Sequence, residues 1–258
     1  MRLSWPLARL KPATAFKNNH LDGAFPLRRN QTSSGAPVLL NLNAFDQLRA
    51  GRLPRRFAQL IFGLIGYGAA VMCLVLSGLG AASWNVLAEG VSIYLGLSFG
   101  WTTNLIALVV LVAWIPMKEM PGIGTVLNVF LVGISADVTA LYVEPANHPV
   151  HQAAYFVIGL LAYAFFDATY LGAQLGAGPR DGLMTGLTRI TGRSVRSVRT
   201  GIEIVVALSG WLLGGTVGIG TVLISLLVGP LIAGFLPIVA VRLPRSDRPS
   251  PPASERAR

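Results

Sequence analysis

Asn85, Glu89 and Ser92 follow one another at i, i+4 and i+7, and so do Asp181, Thr185 and Thr188. On a helix each trio falls on one face. Arg180 stands immediately before the second trio. Two faces carrying hydroxyls, a carboxamide and carboxylates could line a shared polar path for a small solute or a proton. Three more acids, Asp137, Asp167 and Glu203, lie in stretches that are otherwise apolar. Acids inside a bilayer are costly and face a cavity or a partner, so they suggest a protonatable relay or a cation site. Glu203 has Arg199 four residues before it and can form a helix-face ion pair. Asp137 can equally hydrogen-bond a neighbouring helix. Asp167 has no base near it in sequence, which makes it the strongest functional candidate of the three.

Signatures of enzymes are missing. His20, His148 and His151 lie outside the apolar runs and have no cysteine or acid cluster suited to a metal. There is no nucleophile elbow, phosphate-binding loop or dinucleotide fingerprint, and the single Cys73 lies within an apolar run. The sequence predicts neither catalysis, cofactor nor metal, and no nucleic-acid-reading motif is present.

The elements that must position these residues are apolar. Only 12 % of the chain is charged, where soluble domains run near a quarter. Runs at 57–77, 101–117, 122–143, 153–175, 198–216 and 218–240 can each cross a hydrocarbon core of ~30 Å. The net charge of +10 resides in the tails. Between 57 and 240 the bases are Lys118, Arg180, Arg189, Arg193, Arg196 and Arg199, against seven acids. Residues 1–50 read as a disordered basic cytoplasmic arm and 241–258 as a disordered basic cytoplasmic tail. Such tails suit the anionic lipids of the bilayer.

The chain repeats itself at an offset of 96 residues, without gaps. GIGTVLNVFLVG from Gly122 matches GIGTVLISLLVG from Gly218, and LGAASWNVLAEG from Leu79 matches LGAGPRDGLMTG from Leu175. Gly63, Gly80, Gly90, Gly96, Gly122, Gly124 and Gly133 all recur, as does Tyr67 at Tyr163. Duplication of this kind is to be sought before other patterns. The first repeat covers 51–143, a short external loop 144–152, and the second repeat 153–240. Each holds one long run, a Gly-rich turn, a short helix (84–95; 180–191) and two further runs. A helix of about twelve residues is ~18 Å long and too short to span untilted. With three crossings per repeat every Lys and Arg falls on one side, as the positive-inside rule requires. An odd number of crossings inverts the second repeat relative to the first. The short helices are then either re-entrant, with ends that converge on a path, or interfacial. The GIGT motifs suit tight turns and close helix approach, with Thr125 and Thr221 bonding backbone.

The stretch LGAGPRDGLMTGLTRITGRSVRSVRTGIE, together with GGTVGIGT, resembles the bacterial YczE-like integral membrane proteins, grouped with the YyaS and YitT names. The resemblance covers roughly Val38 to Val241. It implies a bacterial inner-membrane protein and little about activity. One departure is at ASWNVL, where the family's first-repeat turn has Pro and Asp and this chain has Ser83 and Asn85. The expectation is an all-α polytopic membrane protein with two inverted repeats of three transmembrane helices, each with a short re-entrant or interfacial helix. Both termini are expected to be cytoplasmic. The leading function is a small-solute transporter or permease, with proton coupling as an option and a path at the repeat interface. The alternative is a non-transporting membrane scaffold or regulatory partner.

Overall fold

A computed structural model describes residues 51–243. The arm expected at 1–50 and the tail from residue 244 lie outside the described residues. These hold eight helices and no strand. They are α1 Leu53–Leu76, α2 Ser83–Leu95, α3 Phe99–Met117, α4 Ile123–Tyr142, α5 Pro149–Gly172, α6 Pro179–Thr191, α7 Val195–Leu212 and α8 Ile219–Val239.

Local chemistry sets the ends. Pro54 and Pro149 sit in the first turns of α1 and α5, where a missing N–H costs nothing. Ser98 and Ser194, repeat mates, each cap the helix that follows, accepting from the backbone N–H of Trp101 and Ser197 respectively. Gly96 and Gly192, also mates, end the short helices in the left-handed conformation. The runs begin and end a few residues from their expected bounds. α1 starts at Leu53, taking Arg55 and Arg56 into the helix, and α5 occupies Pro149–Gly172 rather than 153–175.

Five of the eight helices, α1, α3, α4, α5 and α8, are long and apolar enough to cross a membrane, where the sequence suggested six. The exception is α7. Its 18 residues carry Arg196, Arg199 and Glu203 in the first half, so its amphipathic start lowers its hydropathy.

α1 and α5 pack side by side in opposite directions. Arg56, near the start of α1, donates to the carbonyls of Ala173 (2.8 Å) and Gln174 (2.6 Å) just past the end of α5. Tyr67 and Tyr163, mates in the two repeats, meet at the middle with their hydroxyls 2.9 Å apart. Around this pair the repeats exchange contacts reciprocally. The Gly220 N–H donates to the Leu79 carbonyl, and its counterpart Gly124 N–H donates to the Leu175 carbonyl, both at 2.8 Å. α2 packs on α7 and α6 on α3, each short helix on a helix of the other repeat. Gly80 and Gly176 adopt φ of +106° and +127°. A side chain there would meet Gly218 and Thr221 in one case and Gly122 and Thr125 in the other. Only glycine fits both the backbone conformation and the space. The GIGT motifs are therefore shelves that receive the turn of the opposite repeat. Thr125 donates to the Ala177 carbonyl at 2.6 Å.

The exchange has one break. α3 and α4 are zipped together. Asp137 accepts from the Gly100 N–H (2.7 Å) and the Ser98 hydroxyl (2.5 Å), and Asn104 Oδ1 accepts from the Gly133 N–H (3.1 Å). Gly100 and Gly133 are buried against each other. The equivalent α7 and α8 do not pack along each other. There Arg196 replaces Gly100 and Ala233 replaces Asp137, and a side chain on Gly229, the mate of Gly133, would meet nothing within 4 Å.

Candidate functional site

The first turns of the two short helices meet at the centre of the exchange, inside the bundle. Asn85, in the first turn of α2, is fully buried. Its Oδ1 accepts from Arg180 Nη2, in the first turn of α6, at 3.3 Å. The Arg180 guanidinium also lies over the Trp84 ring, 5.4 Å from its centroid. Trp84 and Arg180 are mates, as are Asn85 and Asp181. The contact therefore straddles the same centre as Tyr67 and Tyr163.

Around it stand the other polar groups of the core. Arg180 lies within electrostatic range of Tyr67, Tyr163, Tyr170 and Asp167. Asp167, on α5, is in electrostatic range of Tyr170, Asp181 and Arg180. The Tyr67 and Tyr163 rings pack at 4.7 Å and the Tyr67 and Tyr170 rings at 5.9 Å, so three phenols form one wall. Asp167, Arg180 and Asp181 are partly rather than fully buried, while the phenols are buried. Among the described residues Arg180 makes no ion pair within 4 Å. This is a cluster of one guanidinium, two carboxylates and three hydroxyls set among apolar helices. It can hold and pass protons, and its Arg and amide groups can bind polar atoms.

The remaining sequence candidates are drawn elsewhere. Glu89 accepts from both the backbone N–H (2.7 Å) and the hydroxyl (2.8 Å) of Thr216, bracing the turn before α8. Ser92 donates to the Leu97 carbonyl at 2.7 Å, at the end of α2. Thr185 donates to its own helix at the Asp181 carbonyl, 2.9 Å. Thr188 Oγ1 is buried without a partner among the described residues. Asp137 is spent on the α3 N-terminus, and Glu203 pairs with Arg199 at 2.9 Å. So Asn85, Asp167, Arg180 and Asp181 come together, while Glu89, Ser92 and Asp137 hold turns and helix ends and Glu203 pairs within α7. Beyond their first turns α2 packs on α7 and α6 on α3. No group of three or more potential metal ligands occurs among the described residues.

The cluster includes residues that the spacing argument passed over: Tyr67, Tyr163, Tyr170 and Trp84. The recurrence of Tyr67 at Tyr163 was a usable signal, since a phenol in mid-span must find a partner. Two grooves lie apart from the cluster on α3 and α4. One, of about 260 Å³, is lined by Trp101, Asn104, Leu108, Phe130 and Asp137 among others.

Eight helices, five of membrane-spanning length and composition, with a charged cluster at the meeting of two short helices, define a polytopic helical membrane protein. The chain belongs to the family of unknown function DUF6198, whose profile matches residues 54–237. It is 40 % identical over 185 residues to a Haemophilus influenzae protein described as uncharacterized, covering 72 % of this chain and 84 % of that one. It is 31 % identical over 184 residues to the Bacillus subtilis "Uncharacterized membrane protein YczE", covering 70 % and 83 % of the two chains. Against Bacillus subtilis YyaS the identity is 26 % over 181 residues, 69 % and 90 % of the chains. This is the YczE-like family. No solved structure matches the chain.

Proposed function

We propose that the protein is a small-solute permease of the bacterial inner membrane, built from two inverted three-crossing repeats, with its path at the repeat interface. The carrying observation is the meeting of the α2 and α6 first turns at Asn85 and Arg180, beside the Asp167 carboxyl. Transporters with inverted repeats place broken helix ends, whose dipoles face the substrate, near the midplane. The antiparallel course of α1 and α5 and the reciprocal exchange between repeats support inversion. α7 serves as the sixth crossing. Its 18 residues rise ~27 Å, enough when Arg196 and Arg199 stand at the headgroups. With Lys118 and these arginines inside, both termini are cytoplasmic, and the basic tails rest on anionic lipid. Asp167 is the proton-carrying group.

The test is flux in proteoliposomes, wild type beside Asp167→Asn. Proton-dependent solute uptake in wild type, lost in the variant, supports the reading. Equal background leakage in both across a broad solute panel overturns it. That result would leave the scaffold reading, which the parted, lipid-facing α7 and α8 favour by offering a face to another membrane protein.

A further inference from the structure

The first turns of α2 and α6 are mates in sequence but not in electrostatics. The start of a helix exposes unpaired N–H groups and a partial positive charge. α6 answers this itself: Asp181 lies in its first turn. α2 has no acid in its first turn, and its N-cap Ala82 offers no side-chain acceptor. The Asn85 and Val86 N–H groups bond the Ala82 carbonyl. Those of Ser83 and Trp84 have no partner among the described residues. The Arg180 guanidinium is brought against this positive end, with Asn85 Oδ1 as its one hydrogen-bond acceptor among the described residues. The other end of the same carboxamide, Nδ2, is buried and has no acceptor among the described residues. A buried donor left unpaired is costly. Asn85 lies in the same first turn as the two unanswered N–H groups, and its Oδ1 holds the Arg180 guanidinium.

We propose that the uncapped start of α2, Asn85 Nδ2 and the Arg180 guanidinium form a binding site for a small monovalent anion, of the size of a halide, nitrate or short carboxylate. The proposal rests on the permease reading for its role, as the substrate class of that path, but not for its existence. Helix N-termini joined to an arginine are a recurrent anion cradle. The opposing groups are Asp167 on α5 and Asp181 on α6, both in range of Arg180. The phenols of Tyr67, Tyr163 and Tyr170 are neutral donors, and Arg199 on α7 is a more distant cation. With both carboxylates charged the cluster resists an anion, and neutralising Asp167 favours it. Anion and proton therefore enter together.

The experiment is equilibrium binding to the purified full-length protein in neutral detergent and gluconate buffer, titrated with chloride, nitrate or acetate and followed by calorimetry and thermal shift. Wild type is expected to saturate. Asn85→Asp keeps the shape, removes the donor and supplies a carboxylate to Arg180, so it should fold and bind at least ~10-fold more weakly. Arg180→Gln should do the same, and Asp167→Asn should bind several-fold more tightly. No saturable response in wild type, or Asn85→Asp curves that superpose on wild type, would overturn the site. Saturable binding without flux retains the site and removes the permease reading. Proton-dependent flux with no anion binding does the reverse.

Discussion

Replacing Gly133 by alanine is expected to destabilise the protein, while the same change at its repeat mate Gly229 is not. A Cβ on Gly133 would collide with the Asn104 carboxamide and with the Gly100 carbonyl. The first can rotate, but only by surrendering its bond to the Gly133 N–H. The second is backbone and can move only if α3 parts from α4. Forcing one carbon into such a contact costs roughly 1–3 kcal/mol. On Gly229 the same carbon meets nothing within 4 Å, and the gain is the reduced helix penalty of glycine, ~0.5–1 kcal/mol. At ~2–4 °C per kcal/mol for a domain of this size, Gly133→Ala should melt roughly 2–12 °C lower in detergent. Gly229→Ala should match wild type or melt slightly higher. The assay is intrinsic-fluorescence melting of both variants in the same lipid–detergent mixture. Equal losses at both positions would refute the reasoning, because α7 would then have to be packed on α8 as α3 is on α4.

Removing one hydroxyl of the Tyr67–Tyr163 pair leaves the other buried and unpaired, so each single change to Phe should cost about 1–3 kcal/mol. The double change should cost less than the sum, as a double-mutant cycle of melting would reveal. Arg56→Met should strip the Ala173 and Gln174 carbonyls of a charged donor and loosen the turn that leads to Arg180. Charged hydrogen bonds contribute ~1.5–3 kcal/mol each, so faster hydrogen exchange at 173–178 and a lower melting temperature are expected, with partial recovery in Arg56→Lys.

Much of this architecture can be read from local pattern. Apolar runs, serine caps and left-handed glycines at Gly96 and Gly192 each act within a few residues, so helix number and order follow from them. The repeat is visible because glycines recur in register. What local pattern does not carry is which repeat a side chain serves. Glu89 looks like a path residue until the Thr216 turn, 127 positions away, is seen to occupy it. Asp137 looks like a buried charge until the α3 N-terminus is seen beside it. Conversely, Asp167 seemed to lack a base because Arg180 reaches it only through the turn that separates α5 from α6. The α7–α8 gap was legible in part: arginine at the position of Gly100 cannot make the same close approach.

The exchanged shelves bear on how the protein is made. The carbonyl that receives Gly220 belongs to Leu79, and the one that receives Gly124 belongs to Leu175. A nascent chain that has emerged only as far as Tyr142 thus holds an empty ledge at Gly122–Gly124 and an unanswered loop at Leu79, with α2 lacking the helix it rests on. The first half has to wait in the bilayer, unfinished, until the second is translated. Neither half produced alone should reach the native structure, whereas two fragments cut between Val143 and His148 and synthesised together should find each other.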